Sequence, residues 1–140
     1  MLKKVVICII LKEKQIMLQL RDNKKNILYP NKWGFFGGDI KSGEQHLESV
    51  KREMKEELNI KNFKKLKFVK IYFDATTNSL FHIYILRLNE NVVQNEGVDY
   101  DFFLDYQFLK KRKSKKLGKF FECADVRLMK IFANFAKRFF

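Results

Sequence analysis

Residues 37–60 read GGDIKSGEQHLESVKREMKEELNI and set Glu44, Glu53, Glu56 and Glu57 close together in a chain whose formal net charge is +13. The stretch predicts a helix over Ser42–Leu58. Ser42 and Gln45 have capping-box spacing, and Leu47, Val50, Met54 and Leu58 recur at helical intervals as one apolar stripe. Asn59 is a suitable stop, because Asn tolerates the left-handed conformation at a helix end. At about 100° per residue, Glu53, Glu56 and Glu57 share an arc with Arg52 beside them, away from the apolar stripe. Carboxylates so close repel one another, and a hard divalent ion such as Mg²⁺ would relieve that repulsion with oxygen ligands. The same spacing also describes a solvated helix face, with Lys51 and Lys55 offsetting the acid.

Around this helix the chain alternates strand and helix signals. Val5–Leu11 and Gln15–Arg21 are short apolar or alternating runs separated by KEK, and KWGFFGG reads as a strand edge ending in glycines. KLKFVKIYFDATT and SLFHIYILRLN flank Thr77-Asn78-Ser79 and suggest a hairpin. ADVRLMKIFANFAKRFF predicts a packing helix, with Val126, Met129, Ala133 and Ala136 on one side and Leu128, Phe132, Phe135 and Phe139 widening the face; its Lys and Arg residues leave a membrane-surface helix as the alternative. This order indicates an α+β or mixed α/β sandwich with helices on both sides of a sheet. The 140 residues suit one domain, residues 1–140, with no repeat or Pro-rich linker to divide them.

At 46% hydrophobic and 15% aromatic residues, the composition is that of a folded protein. Cys8 and Cys123 have apolar neighbours and no metal-ligand spacing, which points to reduced, buried thiols. The apolar run Val5–Leu11 is too short for a leader or a membrane span, so a cytoplasmic location is expected. The 29 basic against 16 acidic residues favour polyanions such as nucleotides, RNA or anionic lipid, although such a balance is also ordinary solubilising surface. Much of the excess lies in KKRKSKKLGK, residues 110–119, which is expected to form a mobile loop.

Written as a pattern, Gly38, five residues, Glu44, seven residues, then Arg52-Glu53-Met54-Lys55-Glu56-Glu57-Leu58-Asn59-Ile60 resembles the Nudix box, G-x5-E-x7-R-E-U-x-E-E-x-G-U, with U aliphatic. Every polar position agrees; Asn59 stands where the family usually has glycine. WGFFGG resembles the family's W-x-x-P-G-G lead-in, with Phe36 in the usual proline place.

The resemblance implies a Nudix α/β/α sandwich with a mixed sheet between helices, and a hydrolase that cleaves a phosphoanhydride with Mg²⁺ or Mn²⁺. Glu53, Glu56, Glu57 and the Gly38 carbonyl would hold the ions. Arg52 would orient Glu53, and Glu44 would stabilise the loop at the helix start. NEGVDYDFF is similar to a segment of MutT-type members that supplies a further glutamate, which makes Glu96 a candidate ligand or general base. In those members an Asn or Asp at the start of the last helix contributes to base recognition, and Asp125 falls near there; it would equally serve as a helix cap. Phe35, with Trp33 and Tyr29, is a candidate stacking residue as well as a core aromatic. His82, in an apolar strand, reads as structural.

The substrate implied first is a nucleoside triphosphate, oxidised guanine nucleotides included, giving monophosphate and pyrophosphate. A nucleotide sugar or ADP-ribose, an RNA 5′ end, and a non-catalytic nucleotide- or RNA-binding module are the alternatives. A monomer or a homodimer is expected.

Overall fold

A computed structural model of the protein describes residues 1–89, 99–110, 112–113 and 120–140. Strand β1 (Lys3–Lys12) turns through Glu13, whose φ is +57°, into β2 (Gln15–Leu20). Strands β3 (Trp33–Gly34) and β4 (Phe36–Asp39) lead to α1 (His46–Leu58). The hairpin β5 (Leu66–Asp74) and β6 (Ser79–Arg87) follows, with Asn78 at φ +50° in its turn. After β7 (Asp99–Phe103), a 3₁₀ turn over Asp105–Leu109 and the short pair β8 (Arg112–Lys113) and β9 (Phe120–Phe121), the chain ends in α2 (Val126–Ala136).

The main sheet runs β3-β2-β1-β6-β5, with β4 on β1 and β7 on β2. Among the strand pairs of the described residues β1 and β6 are parallel and the others antiparallel, so the sheet is mixed; an isolated parallel bridge joins Trp33 and Cys123. β1 is central and buried on both faces, which is why it reads as an unbroken apolar run rather than an alternating one. Its period of two still sorts the side chains. Ile9 and Leu11 join Phe81, Ile83 and Ile85 under α2, while Val6, Cys8 and Ile10 join Tyr84 and Leu86 under α1. One helix on each face of a mixed sheet is the arrangement expected from the sequence.

α2 buries Leu128, Met129, Phe132, Ala133 and Ala136 against the sheet, so its apolar face is a packing face. Cys8 and Cys123 are free and buried; burial pushes the Cys123 thiol up to about 12 and Cys8 further, with Glu57 adding to the effect at Cys8. No helix among the described residues is long and apolar enough to cross a membrane. The basic run 110–119 falls largely outside the described residues.

Two expectations about α1 need correction. The helix starts at His46, not Ser42, because Gly43 takes φ +78° and breaks the helical path. Gln45 is the capping residue, and its N–H donates to the Glu48 carboxylate at 3.3 Å. Leu47 then lands in the first turn, 43% exposed, while Val50, Met54 and Leu58 pack into the core as the stripe predicts.

Candidate active site

The far end of α1 is fixed as the sequence suggests. Asn59 adopts φ +55°, its N–H donates to the Lys55 carbonyl at 2.9 Å, and the Ile60 N–H reaches back to Met54 at 3.3 Å. Ile60 is buried beneath the turn, so asparagine serves in the left-handed place usually given to glycine.

Arg52 organises the opposite surface. Its Nε donates to Glu44 Oε2 at 2.7 Å and its Nη2 to Glu44 Oε1 at 3.0 Å, a bidentate pair across eight residues. Nη1 donates to Glu53 Oε1 at 2.8 Å and to Glu56 Oε2 at 3.3 Å, and Nη2 also reaches the Asp39 carbonyl and Ser49 Oγ. Glu44 in turn accepts from the Lys41 N–H at 3.1 Å. One guanidinium thereby ties the 37–45 loop to the helix. The Arg52 hydrogen bonds hold the Glu44 carboxyl down at about 2, against the opposing effect of burial, and Glu44 pushes Arg52 further up. Ser49 and Asp39 are contacts the sequence reading missed; the three-residue step from Ser49 to Arg52 on the helix was the available signal.

Gly38 lies opposite Val6 on β1 and directly beneath Glu53. A Cβ built there would sit 2.3 Å from Glu53 Oε1, so the absence of a side chain lets the carboxylate lie against the loop backbone. Glu53 is 9% and Glu57 5% exposed, whereas Glu56 is open. Two buried carboxylates one turn apart are costly to keep ionised without cations nearby. Among the described residues no three His, Cys, Asp or Glu side chains converge on one point; Glu53 and Glu56 instead turn to Arg52. The donor set of Gly38 carbonyl, Glu53, Glu56 and Glu57 is all oxygen, the chemistry that Mg²⁺ and Mn²⁺ select. In donor chemistry the residues fit such an ion, while the Glu53 and Glu56 side chains as placed converge on Arg52.

The other predicted residues lie elsewhere. Glu96 falls outside the described residues. Asp125 caps α2, its Oδ1 accepting from the Leu128 N–H at 3.1 Å and its Oδ2 facing Arg127 at 3.4 Å. Backbone bonds from Trp33 N–H to Glu122 and from Ala124 N–H to Trp33 bring this cap beside β3. Phe35, in the same region, is buried edge-on against Phe108 and Phe132. Trp33 is fully buried and packs on Phe103, while Tyr29 is exposed. Asp74 was not anticipated: it is buried, takes both Arg127 nitrogens at 2.9 and 3.1 Å and Thr77 Oγ1 at 2.6 Å, and so locks the β5–β6 turn to the start of α2.

Comparison with known proteins bears on the family and the fold. The NUDIX domain model matches residues 1–122. An 8-oxo-dGTP diphosphatase of Buchnera aphidicola subsp. Schizaphis graminum is 32% identical over 104 residues, spanning 72% of this chain and 77% of that protein. A nucleoside triphosphatase, NudI, of Enterobacter sp. (strain 638) is 29% identical over 109 residues, spanning 69% and 77%. The crystal structure of a MutT protein from Methanosarcina mazei Go1 shares the fold, with a TM-score of 0.72 over 97% of this chain and 94% of that one, at 19% identity.

Proposed function

The chain belongs to the NUDIX family of hydrolases, and on that premise we propose that it is a Mg²⁺- or Mn²⁺-dependent pyrophosphohydrolase of nucleoside triphosphates, with oxidised guanine nucleotides among its substrates. The observation that carries the reading is Arg52 gathering Glu44, Glu53 and Glu56 above Gly38. The substrate class is supported by the names of the two relatives.

In this reading Glu53, Glu56, Glu57 and the Gly38 carbonyl would hold the divalent ions. A bound ion makes water nucleophilic near neutral pH and offsets charge on the attacked phosphate. Water adds to phosphorus, the bridging P–O bond of the anhydride breaks, and monophosphate and pyrophosphate leave. Phosphoryl chemistry rests mainly on positioning and electrostatics, which is what Arg52 supplies by fixing Glu53 and Glu56. Glu44 fixes Arg52 in turn, and Glu96 is assigned as a further ligand or as the base that takes the proton of water.

The test is a panel of (d)NTPs, 8-oxo-dGTP, ADP-ribose and nucleotide sugars with Mg²⁺, read by product chromatography. Monophosphate and pyrophosphate from a triphosphate are expected. Turnover of ADP-ribose or a nucleotide sugar alone would move the assignment to that class, and equal turnover by Glu53→Gln and wild type would remove it from this site.

A further inference from the structure

α1 begins only at His46 and leaves part of the sheet beneath it uncovered. The β5–β6 register sets Phe68 beside Tyr84, Ile71 beside His82 and Phe73 beside Leu80, all on the α1 face. Phe68, Ile71 and Phe73 are each about half exposed. Between Phe68 and the start of α1 lies a cleft of about 570 Å³ lined by Lys4, Glu44, His46, Phe68, His82 and Tyr84, among others. That volume falls within the roughly 300–1,000 Å³ range of small-molecule sites.

Its walls are aromatic and held in place. The His46 ring stacks on His82 at 4.7 Å with 26° between planes, lies 5.4 Å from Phe68, and shares a 2.5 Å hydrogen bond between Nδ1 and the Tyr84 hydroxyl. Phe68 meets Tyr84 edge-on at 5.3 Å. Phe68 nonetheless stays 48% exposed, offering an open π-face at the mouth. His82 is 7% exposed, and its Nδ1 is buried without a hydrogen bond. Burial first, then His46, holds its pKa down, which favours the uncharged ring beside its stacking partner.

The charge is as directional as the shape. Lys4 contributes an ammonium and the start of α1 its positive end, while the one carboxylate among the residues named above, Glu44, is turned to Arg52. Open aromatic faces with a net positive edge suit a flat ring that carries an anion.

We propose that this cleft is a second ligand site, separate from the Glu53 face of α1, which takes a nucleobase bearing a phosphate: the base stacks on Phe68 and His46, and the phosphate meets Lys4. The assignment does not depend on hydrolysis. A free nucleotide and the 5′ end of a single strand present the same chemistry, and the test separates them.

Isothermal titration in EDTA, which silences the carboxylate site, would use guanosine and adenosine 5′-monophosphates and a 5′-phosphorylated RNA tetramer. Saturable binding is expected, weakened about tenfold or more in Phe68→Ala, restored in Phe68→Tyr and unchanged in Glu53→Gln. Circular dichroism would verify that each variant is folded. Monophosphate and tetramer binding equally identifies a free nucleotide; tighter tetramer binding identifies a strand end. No saturable binding of any probe, or binding by Phe68→Ala equal to that of wild type, overturns the proposal.

Discussion

Arg52 grips Glu44 with two hydrogen bonds of 2.7 and 3.0 Å, and this pair fastens the glycine loop to the second turn of α1. The remaining guanidinium nitrogen is thereby aimed at Glu53, 2.8 Å away. Ion-pair geometry, rather than helix propensity alone, sets where the buried carboxylate lies, because a planar fork satisfied on one side has little freedom on the other.

Acid should loosen this arrangement in a defined window. Glu44 titrates at about 2 in the folded protein against an ordinary 4.5, so the folded state binds its proton less readily than the unfolded chain. The stabilisation is complete above about pH 4.5 and disappears as pH falls through about 2. Asp74, held at about 2 against an ordinary 3.8 by Arg127 and then Thr77, adds a second contribution of the same sign. Urea midpoints measured from neutral pH to pH 2 are expected to fall less steeply in Glu44→Gln and in Asp74→Asn than in wild type. Curves parallel to wild type in both variants would contradict the linkage.

The adjacent glycines should fail in different ways. A Cβ at Gly37 would meet the Val6 carbonyl oxygen at 2.1 Å from a backbone at φ +147°, so Gly37→Ala collides with β1 itself. A stability loss of about 2 kcal/mol or more is expected. At Gly38 the obstacle is the end of the Glu53 side chain, which can move. Gly38→Ala is therefore expected to keep most of its thermal stability while losing turnover about a hundredfold or more. Equal stability losses in the two variants would argue against this division.

Much of this was legible because it is local. The 3.6-residue period placed Arg52, Glu53, Glu56 and Glu57 together, and the unbroken apolar run Val5–Leu11 fits a strand buried on both faces. The start of α1 was not legible from its capping pattern: Ser42 and Gln45 have the right spacing, but Gly43 takes a left-handed conformation that the pattern does not encode. Contacts between distant residues were least accessible. Nothing in DATTNS shows that Asp74 meets Arg127, and His46 reaches Tyr84 only because α1 crosses β6. Phe35 is an aromatic of either kind by sequence, and its ring contacts with Phe108 and Phe132 come from a helix almost a hundred residues away and a turn in between.

Metal binding should be visible without catalysis. Glu53 and Glu57 are both nearly buried, so an ion that binds only the folded arrangement raises its melting temperature by mass action. Millimolar Mg²⁺ or Mn²⁺ is expected to raise the Tm of wild type by a few degrees, and to leave the Tm of Glu53→Gln and Glu57→Gln nearly unchanged relative to EDTA. A shift of the same size in all three proteins would place the ion elsewhere.

Asp125 allows its two assignments to be separated. As the cap of α2 it accepts from the Leu128 N–H, a bond that Asn can also accept and Ala cannot. Asp125→Ala is thus expected to lose about 1 kcal/mol of stability, and Asp125→Asn much less. A carboxylate accepts from two neighbouring guanine donors, whereas an amide offers one acceptor and one donor group. If Asp125 reads the base, Asp125→Asn should keep its melting temperature yet shift the ratio of kcat/KM between guanine and adenine triphosphates by about tenfold, mainly through KM. An unchanged ratio in a stable Asp125→Asn would leave the residue as a cap alone, and base selection would then belong to other groups beside β3.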